Sequence, residues 1–193
     1  YAGTITSVTR GYLDVFHLNT ISVLPREIEL ANGLSAPAGA LLVGARNLHT
    51  VAVLDLNDER VVWAWGRGEL EQPHHPSLLP NGNILIFDNG NERRWSRVIE
   101  LDPRREEIVW QYGAPEGKDF FFSETRGSAQ RLSNGNTLVT DSISGRVFEV
   151  TRDGRIVWEF INPDVNDGKR ATIFQMTRLD VADAKLLGVP SPL

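Results

Sequence analysis

Hydrophobic residues along this chain fall into short runs that alternate with polar turns. Three of these runs share one tripeptide, an apolar pair followed by Trp: Val61–Trp63, Ile108–Trp110 and Ile156–Trp158. The three Trp residues are 47 and 48 residues apart. No long stretch shows the 3.6-residue period of an amphipathic helix. A β-rich unit repeated at this spacing is typical of β-propeller blades.

Two further elements recur in the same order before each Trp. An apolar run of strand type occupies residues 52–56, 97–101 and 146–150. Ahead of it, Asn-Gly-Asn turns at 81–83 and 134–136 lead into another apolar run, and residues 39–43 take that place in the first unit. Asn and Gly suit such hairpin turns because both tolerate a positive φ. Each unit therefore predicts four short antiparallel strands, which favours blades over a sandwich with accidental similarity.

The fold class predicted is all-β, a β-propeller with about three to four four-stranded blades in this chain. We expect a single propeller domain, or a fragment of one, over residues 1–193. The blades are placed at about residues 14–66, 72–113 and 126–161, and the tail at 171–193 starts another blade or covers an edge. Such a set forms part of a ring, here a six-bladed one. Since an open ring leaves strand edges unpaired, we expect a homodimer or missing blades to complete it.

Composition narrows the function classes. The chain has 193 residues, 41% hydrophobic and 23% charged, with a net charge of −5 and no Cys. An acidic balance argues against nucleic acid as a partner, because phosphate binding needs clustered positive charge. No apolar run is long enough to span a bilayer, so no membrane association is expected. No signal peptide is visible, and the residues alone leave the compartment unknown.

The histidines carry the candidate chemistry. In an up-and-down blade, the start of the first strand, the loop between the second and third strands, and the connection between blades lie at the same face. The first strands of the first two blades are expected at residues 18–24 and 77–79. Six side chains then fall on one face of two neighbouring blades: His17, Arg46, His49, Arg67, His74 and His75.

His and Arg on one face suit transfer of an anionic group. Arg offers a fixed fork of donors to a pair of sulfuryl or phosphoryl oxygens. His can act as nucleophile, base or acid near neutral pH. A single His at a strand start is more often a structural polar residue, and a zinc site would need ligands that no evident carboxylate or Cys completes. No metal is therefore expected.

At these residues the chain resembles the bacterial, PAPS-independent β-propeller arylsulfotransferases. Three stretches carry the resemblance: His17-Leu18-Asn19-Thr20-Ile21, Leu42-Val43-Gly44-Ala45-Arg46, and His74-His75-Pro76 leading into Phe87-Asp88-Asn89-Gly90. It extends over roughly residues 14–160. Pro73 and Asn47 stand where the family usually has Gln and His, and a further family His belongs to an earlier blade that this chain lacks.

The resemblance implies a role for each matched residue. His74 would attack the sulfur of an aryl sulfate and form a transient sulfohistidine, while His17 and Arg46 would bind the sulfuryl oxygens. A phenol would then accept the group, with no cofactor and no nucleotide sulfate donor. The resemblance also implies a periplasmic or secreted location. Counting back without gaps from Phe87-Asp88-Asn89-Gly90 favours His74 as the nucleophile, although His75 could take that role.

His75, His49 and Arg67 are secondary candidates. The alternative to an enzyme is a non-catalytic propeller that uses the same face as a binding or scaffold module. A quinone-dependent dehydrogenase propeller is disfavoured because the sequence has no acidic cluster for a cofactor metal and no Cys.

Overall fold

The computed structural model describes residues 8–9 and 12–179, with side chains from residue 14 onwards. Its strands, in chain order, are β1 (Val8–Thr9), β2 (Tyr12–Leu13), β3 (Leu18–Val23), β4 (Ile28–Glu29), β5 (Ser35–Ala36), β6 (Leu41–Ala45), β7 (Thr50–Asp55), β8 (Arg60–Trp65), β9 (His74–Leu78), β10 (Ile84–Asp88), β11 (Arg97–Asp102), β12 (Glu107–Tyr112), β13 (Ser128–Arg131), β14 (Thr137–Asp141), β15 (Arg146–Val150), β16 (Ile156–Ile161), β17 (Val165–Asn166) and β18 (Lys169–Arg170). Three short 3-10 turns lie between strands, at Ala31–Gly33, Arg46–Leu48 and Gly117–Asp119.

Twelve of the strands form three four-stranded antiparallel sheets. Their strand orders are β3-β6-β7-β8, β9-β10-β11-β12 and β13-β14-β15-β16, and the remaining strands pair as β1-β2, β4-β5 and β17-β18. Each four-stranded sheet is an up-and-down meander, the arrangement of a propeller blade. The all-β propeller class is therefore confirmed. The described residues form no closed ring, as expected for a partial propeller.

The first strand of blade two begins earlier than the sequence indicated. The expected strand was 77–79, whereas β9 spans His74–Leu78. Pairing extends back because His74 lies opposite Phe87 across a register shift in β9–β10. A bulge of this kind bends the strand and re-aims its side chains. The two histidines therefore belong to the strand itself rather than to the loop before it.

The hydrophobic core lies between neighbouring blades. Blades one and two share a buried cluster that includes Leu42, Val53 and Ile86. Blades two and three share a second cluster, in which the rings of Phe121 and Phe148 meet edge to face at 5.6 Å. A strand buried on both faces is typically a continuous apolar run, as β6 and β10, the second strands of blades one and two, largely are.

A polar joint links blades two and three below this core. Glu100 on β11 is buried and accepts hydrogen bonds from Asn83 Nδ2 at 2.7 Å and Arg131 at 2.9 Å. Arg152, in the hairpin after β15, reaches the same carboxylate at 2.7 Å. The Arg131 guanidinium also lies 4.7 Å from the centre of the Trp110 ring. The repeated Asn, Glu and Trp positions of the sequence therefore form one structural unit.

Residues 171–179 repeat half of this joint on the far side of blade three. Asn136 Nδ2 donates to Glu149 at 2.6 Å, and Arg178 pairs with Glu149 and lies 5.3 Å from the Trp158 ring. Arg178 thus takes the place that Arg131 has one blade earlier. The tail was expected to start another blade or cover an edge, and these contacts favour the start of a fourth blade. Residues 180–193 lie outside the described part of the chain.

Replacing Gly90 with Ala is expected to lower the free energy of unfolding by more than about 3 kcal/mol. Gly90 has a φ of +71°, and a Cβ there would lie 1.8 Å from the Trp95 carbonyl oxygen. Gly135→Ala is the matched control, because its φ is +86° but nothing lies within 4 Å of the added carbon. The control is expected to cost only about 1–2 kcal/mol, the strain of a left-handed residue. Chemical denaturation measures both, and equal losses would contradict the expectation.

Candidate active site

A cleft of about 530 Å³ opens where the first strands of the three blades begin. Its walls come from β3, the turn after β6, β9, the loop leading into β13 and the segment after β18. The lining residues are His17, Asn19, Thr20, Arg46, His74, His75, Thr125, Arg126, Gly127, Ser128, Phe174 and Gln175. These described residues include two arginines and three histidines but no Asp or Glu. The cleft therefore suits an anionic ligand.

Arg46 and His17 are brought together by pairing of the segments that carry them. Arg46 N–H donates to the His17 carbonyl oxygen at 3.2 Å, in the turn that follows β6. Arg46 is half-buried, and its guanidinium donates to Asn47 Oδ1 at 3.0 Å. Burial lowers the pKa of Arg46, with the Asp14 charge opposing that effect. No salt bridge to Arg46 is found in the part of the chain that the structure describes.

His17 is oriented by Asp14 at the cleft mouth. Its Nδ1 lies 2.6 Å from Asp14 Oδ2, and its backbone N–H donates to Asp14 Oδ1 at 2.7 Å. That backbone hydrogen bond is the largest cause of the lowered pKa of Asp14. Since the carboxylate accepts a hydrogen from Nδ1, the other ring nitrogen, Nε2, is the one available to the cleft.

His74 is held through its Nδ1 atom. Asn89 Oδ1 lies 2.7 Å from Nδ1, and the Gln72 carbonyl oxygen lies 3.1 Å from it. Both partners are acceptors, so Nδ1 carries the hydrogen and Nε2 keeps its lone pair. Burial lowers the pKa of His74 to about 4, so the ring is uncharged at neutral pH. No hydrogen bond to His74 Nε2 is found among the described residues.

His75 makes different hydrogen bonds from His74. Gln175 Nε2 lies 3.1 Å from His75 Nε2, where its N–H donates to the ring nitrogen. The backbone N–H of His75 donates to Thr20 Oγ1 at 3.0 Å, and burial lowers the pKa of its side chain. The Nε2 lone pair of His75 is therefore already used, whereas that of His74 is not.

The first strand of blade one clamps the segment that carries both histidines. Asn19 Nδ2 donates to the Pro73 carbonyl oxygen at 2.8 Å, and Thr20 holds His75 as described above. Gly44 permits this approach, since a Cβ there would lie 2.8 Å from Asn19 Oδ1 and 3.2 Å from the Pro76 ring. Asn19, Thr20 and Gly44 thus fix the position of β9 against blade one.

Several residues around the cleft have a strained backbone. His17, His75 and Arg126 all line it and adopt left-handed φ values of 46°, 50° and 63°. Gln72, whose carbonyl holds His74, has a φ of 56°. Such conformations cost about 1–3 kcal/mol each and persist where surrounding contacts enforce them, often at functional sites. Contacts with the surrounding structure therefore hold these cleft residues in conformations that are unfavourable on their own.

His49 and Arg67 do not join these residues. They line a second cleft of about 510 Å³ together with Leu70, Glu71 and other residues of the connection between blades one and two. His49 ends the 3-10 turn that begins at Arg46 and has a left-handed φ of 56°. Arg46 and His49 therefore share one turn but line different clefts.

The described residues contain no group of three or more His, Cys, Asp or Glu side chains that could hold a metal ion. They also contain no helix long and apolar enough to cross a membrane. What the first cleft offers is a half-buried guanidinium, a neutral imidazole with a free lone pair, and a second imidazole oriented by a carboxylate. These groups can bind a tetrahedral oxyanion and attack its central atom.

A family model described as "Arylsulfotransferase (ASST)" matches residues 4–163 of the sequence. The chain belongs to the arylsulfotransferase family. The match includes all three stretches on which the resemblance rested and every histidine of the cleft. No curated protein matches this arylsulfotransferase-family chain.

Several solved structures are similar to it at low identity. A protein of unknown function from Bacteroides caccae matches at 14% identity and a TM-score of 0.48, over 76% of this chain and 46% of its own. A catalytically inactive virginiamycin B lyase from Staphylococcus aureus with quinupristin matches at 14% and 0.49, over 76% and 41%. The Cps50 (Swd1) β-propeller domain of Myceliophteria thermophila matches at 13% and 0.46, over 77% and 45%. The arylsulfotransferase-family chain thus spans less than half the length of each.

Some cleft residues of this arylsulfotransferase-family chain were not predicted from the sequence. Phe174 and Gln175 come from the tail, and Arg126 comes from the loop that leads into β13. Asn89 appeared in a family motif without a role. The signal for Phe174 and Gln175 was their position one blade length after Gly127 and Ser128.

Proposed function

We propose that this chain carries the site of an enzyme that moves a sulfuryl group from an aryl sulfate to a phenolic acceptor through a sulfohistidine at His74. The observation that carries the proposal is the state of the His74 ring. It is neutral, its Nδ1 is bound to two acceptors, and its Nε2 is unpartnered among the described residues that surround the cleft. Membership of the arylsulfotransferase family supports sulfuryl transfer in general.

The two steps balance without a cofactor. His74 Nε2 attacks sulfur, an N–S bond forms, the bond from sulfur to the aryl oxygen breaks, and a phenolate leaves. The oxygen of the acceptor phenol then attacks the same sulfur, the N–S bond breaks, and the acceptor's proton passes to solvent or to the first phenolate. The product is a new aryl sulfate, and His74 returns to its starting state.

Arg46 and His17 are proposed to bind the sulfuryl oxygens during both steps. A desolvated guanidinium that forms no salt bridge within the described chain can donate two hydrogen bonds to two oxygens at once. Donors placed in advance stabilise the charge that develops in the transition state. His75, which donates no ring hydrogen toward the ligand through Nε2, is proposed to shape the cleft beside Gln175.

Further blades are proposed to complete the ring and enclose the cleft. The outermost strand of blade three, β16, is exposed along its length, with Trp158 39% and Val157 52% exposed. Arg178 already supplies one half of the joint that a fourth blade would make there. A second copy of the chain is the alternative source of these blades. A periplasmic or secreted location remains a proposal from the family alone.

The test is incubation of the purified protein with 4-nitrophenyl sulfate and a phenol. Release of nitrophenolate that depends on the acceptor, together with an acid-labile sulfuryl group on a His74 peptide, is expected. If folded protein gives no release and no label, the enzyme proposal is overturned for these substrates. That result would favour the non-catalytic binding module. Mass determination in solution distinguishes a homodimer from a monomer in the same sample.

Transfer is expected to persist to a lower pH than an ordinary histidine would allow. The nucleophile must be uncharged, and burial lowers the pKa of His74 from 6.5 to about 4. The rate should therefore stay level as pH falls through 6.5 and decline about tenfold per pH unit only below the pKa of His74. Initial rates from pH 8 to 3, with circular dichroism to verify folding, measure this. Half-loss of activity near pH 6.5 would contradict it.

A further inference from the structure

Asn89 lies directly behind His74 and is fully buried. It follows β10 at the same position that Arg46 has after β6 and Ser142 has after β14. Its Oδ1 lies 2.7 Å from His74 Nδ1. Its Nδ2 donates to two carbonyl oxygens, of Ser123 at 2.6 Å and of Arg126 at 2.7 Å.

These three contacts settle which end of the amide faces the imidazole. Both carbonyl oxygens are pure acceptors, so the atom between them must be the NH₂ group. The oxygen of the amide is then left for His74 and can only accept a hydrogen. The ring must therefore present Nδ1–H to Asn89 and direct its lone pair from Nε2 to the opposite side.

The charge of residue 89 also affects the protonation of His74. The ionisable groups that act on His74 are Arg46 and His17 across the cleft, with His75 adjacent and Arg126 on the opposite wall. None of them is an acid, so none of them favours a positive imidazolium. A carboxylate in place of Asn89 would stabilise the imidazolium, and it would also face two carbonyl oxygens without a hydrogen to donate.

We propose that Asn89 is the positioning residue of the sulfuryl transfer, holding the His74 ring as the Nδ1–H tautomer so that Nε2 is the attacking atom. This inference rests on the proposed function for its kinetic consequence, but the tautomer itself can be observed without any substrate. Through the Ser123 and Arg126 carbonyls, Asn89 also ties the direction of the nucleophile to the loop that forms the opposite wall of the cleft.

The first test is nitrogen NMR of the full chain labelled at histidine, with the His74 signals assigned from their loss in His74→Asn. Wild-type protein at neutral pH is expected to show a protonated Nδ1 and an unprotonated Nε2. The reverse tautomer, or a charged ring at pH 7, would overturn the proposal even if no variant of Asn89 folds.

The second test compares Asn89→Asp and Asn89→Leu with a control. The carboxylate variant is expected to raise the titration midpoint of His74 by at least about one pH unit, a tenfold change in proton affinity. In the Leu variant Nδ1 keeps only the Gln72 carbonyl, and kcat is expected to fall at least about tenfold with KM for 4-nitrophenyl sulfate within about twofold. A midpoint that does not move in Asn89→Asp, or a KM-only loss in Asn89→Leu, would overturn the proposal.

Ser96→Ala is the matched control for a general loosening of this loop. Ser96 Oγ donates to the Asn89 backbone carbonyl at 2.7 Å and accepts from Ser123 N–H at 3.0 Å. Its loss is expected to reduce stability while leaving the His74 tautomer and titration midpoint unchanged. If the tautomer and the Asn89→Asp shift are found but wild-type protein transfers no sulfuryl group, the proposed function fails and the positioning of His74 stands.

Discussion

His74→Asn is expected to lower the rate of sulfuryl transfer by at least about 10⁴-fold, because it removes the buried imidazole whose Nε2 is proposed to attack sulfur. Asn fits the space and can still donate from its amide toward the Gln72 carbonyl, so the fold should be retained. Its amide nitrogen has no lone pair to attack sulfur. Acceptor-dependent nitrophenolate release measures the rate, and mass spectrometry of His74-containing peptides measures the sulfuryl label.

His49→Gln is the control for this substitution. It removes an imidazole from the second cleft, which shares no lining residue with the first, and is expected to keep the rate within about twofold. A label that persists in His74→Asn and maps to His75 would move the nucleophile by one residue. That outcome would require the Gln175 hydrogen bond to His75 Nε2 to break during the reaction.

The propeller could be predicted from the sequence because the residues that repeat make the same contacts in successive blades. Trp110 and Trp158, with Glu100 and Glu149 on the strands beside them, occur in the same order since each blade must form the same joint with the next. The end of the repeat was harder to interpret. Only the contact of Arg178 with Glu149 shows that the tail repeats the role of Arg131.

The grouping of His17, Arg46 and His74 could also be predicted, because antiparallel alternation fixes the end of the sheet at which a loop lies. Alternation does not fix the side of the loop from which a side chain leaves. Arg46 and His49 lie in the same turn, yet the left-handed backbone at His49 directs it into a different cleft. Local backbone conformation of this kind has no signature in the hydrophobic pattern.

The role of Asn89 depended on contacts that no local pattern contains. Its Nδ2 donates to carbonyl oxygens 34 and 37 residues further along the chain. Because every residue has a backbone carbonyl, the residue types of Ser123 and Arg126 do not indicate this contact. The tautomer of His74 follows from those contacts. It therefore required the packing of blade two against the loop that leads into blade three.

Arg46→Gln is expected to lower kcat/KM for 4-nitrophenyl sulfate by about 10²–10³-fold, the usual cost of removing one preorganised transition-state donor. Burial lowers the pKa of Arg46, so the protein already bears the cost of holding this cation out of water. That cost is offset once an anion binds, and most completely when charge spreads over the sulfuryl oxygens in the transition state. The loss should therefore fall mainly on kcat rather than on KM.

Arg46→Lys separates charge from geometry, since Lys keeps the charge but lacks the planar fork. It is expected to recover part of the lost rate, and Arg67→Gln in the second cleft should cost less than about twofold. If Arg46→Gln raised KM alone, Arg46 would hold the sulfate equally in the ground and transition states. Rate enhancement would then have to come from His17, the other residue proposed to bind the sulfuryl oxygens, and His17→Gln would become the more damaging change.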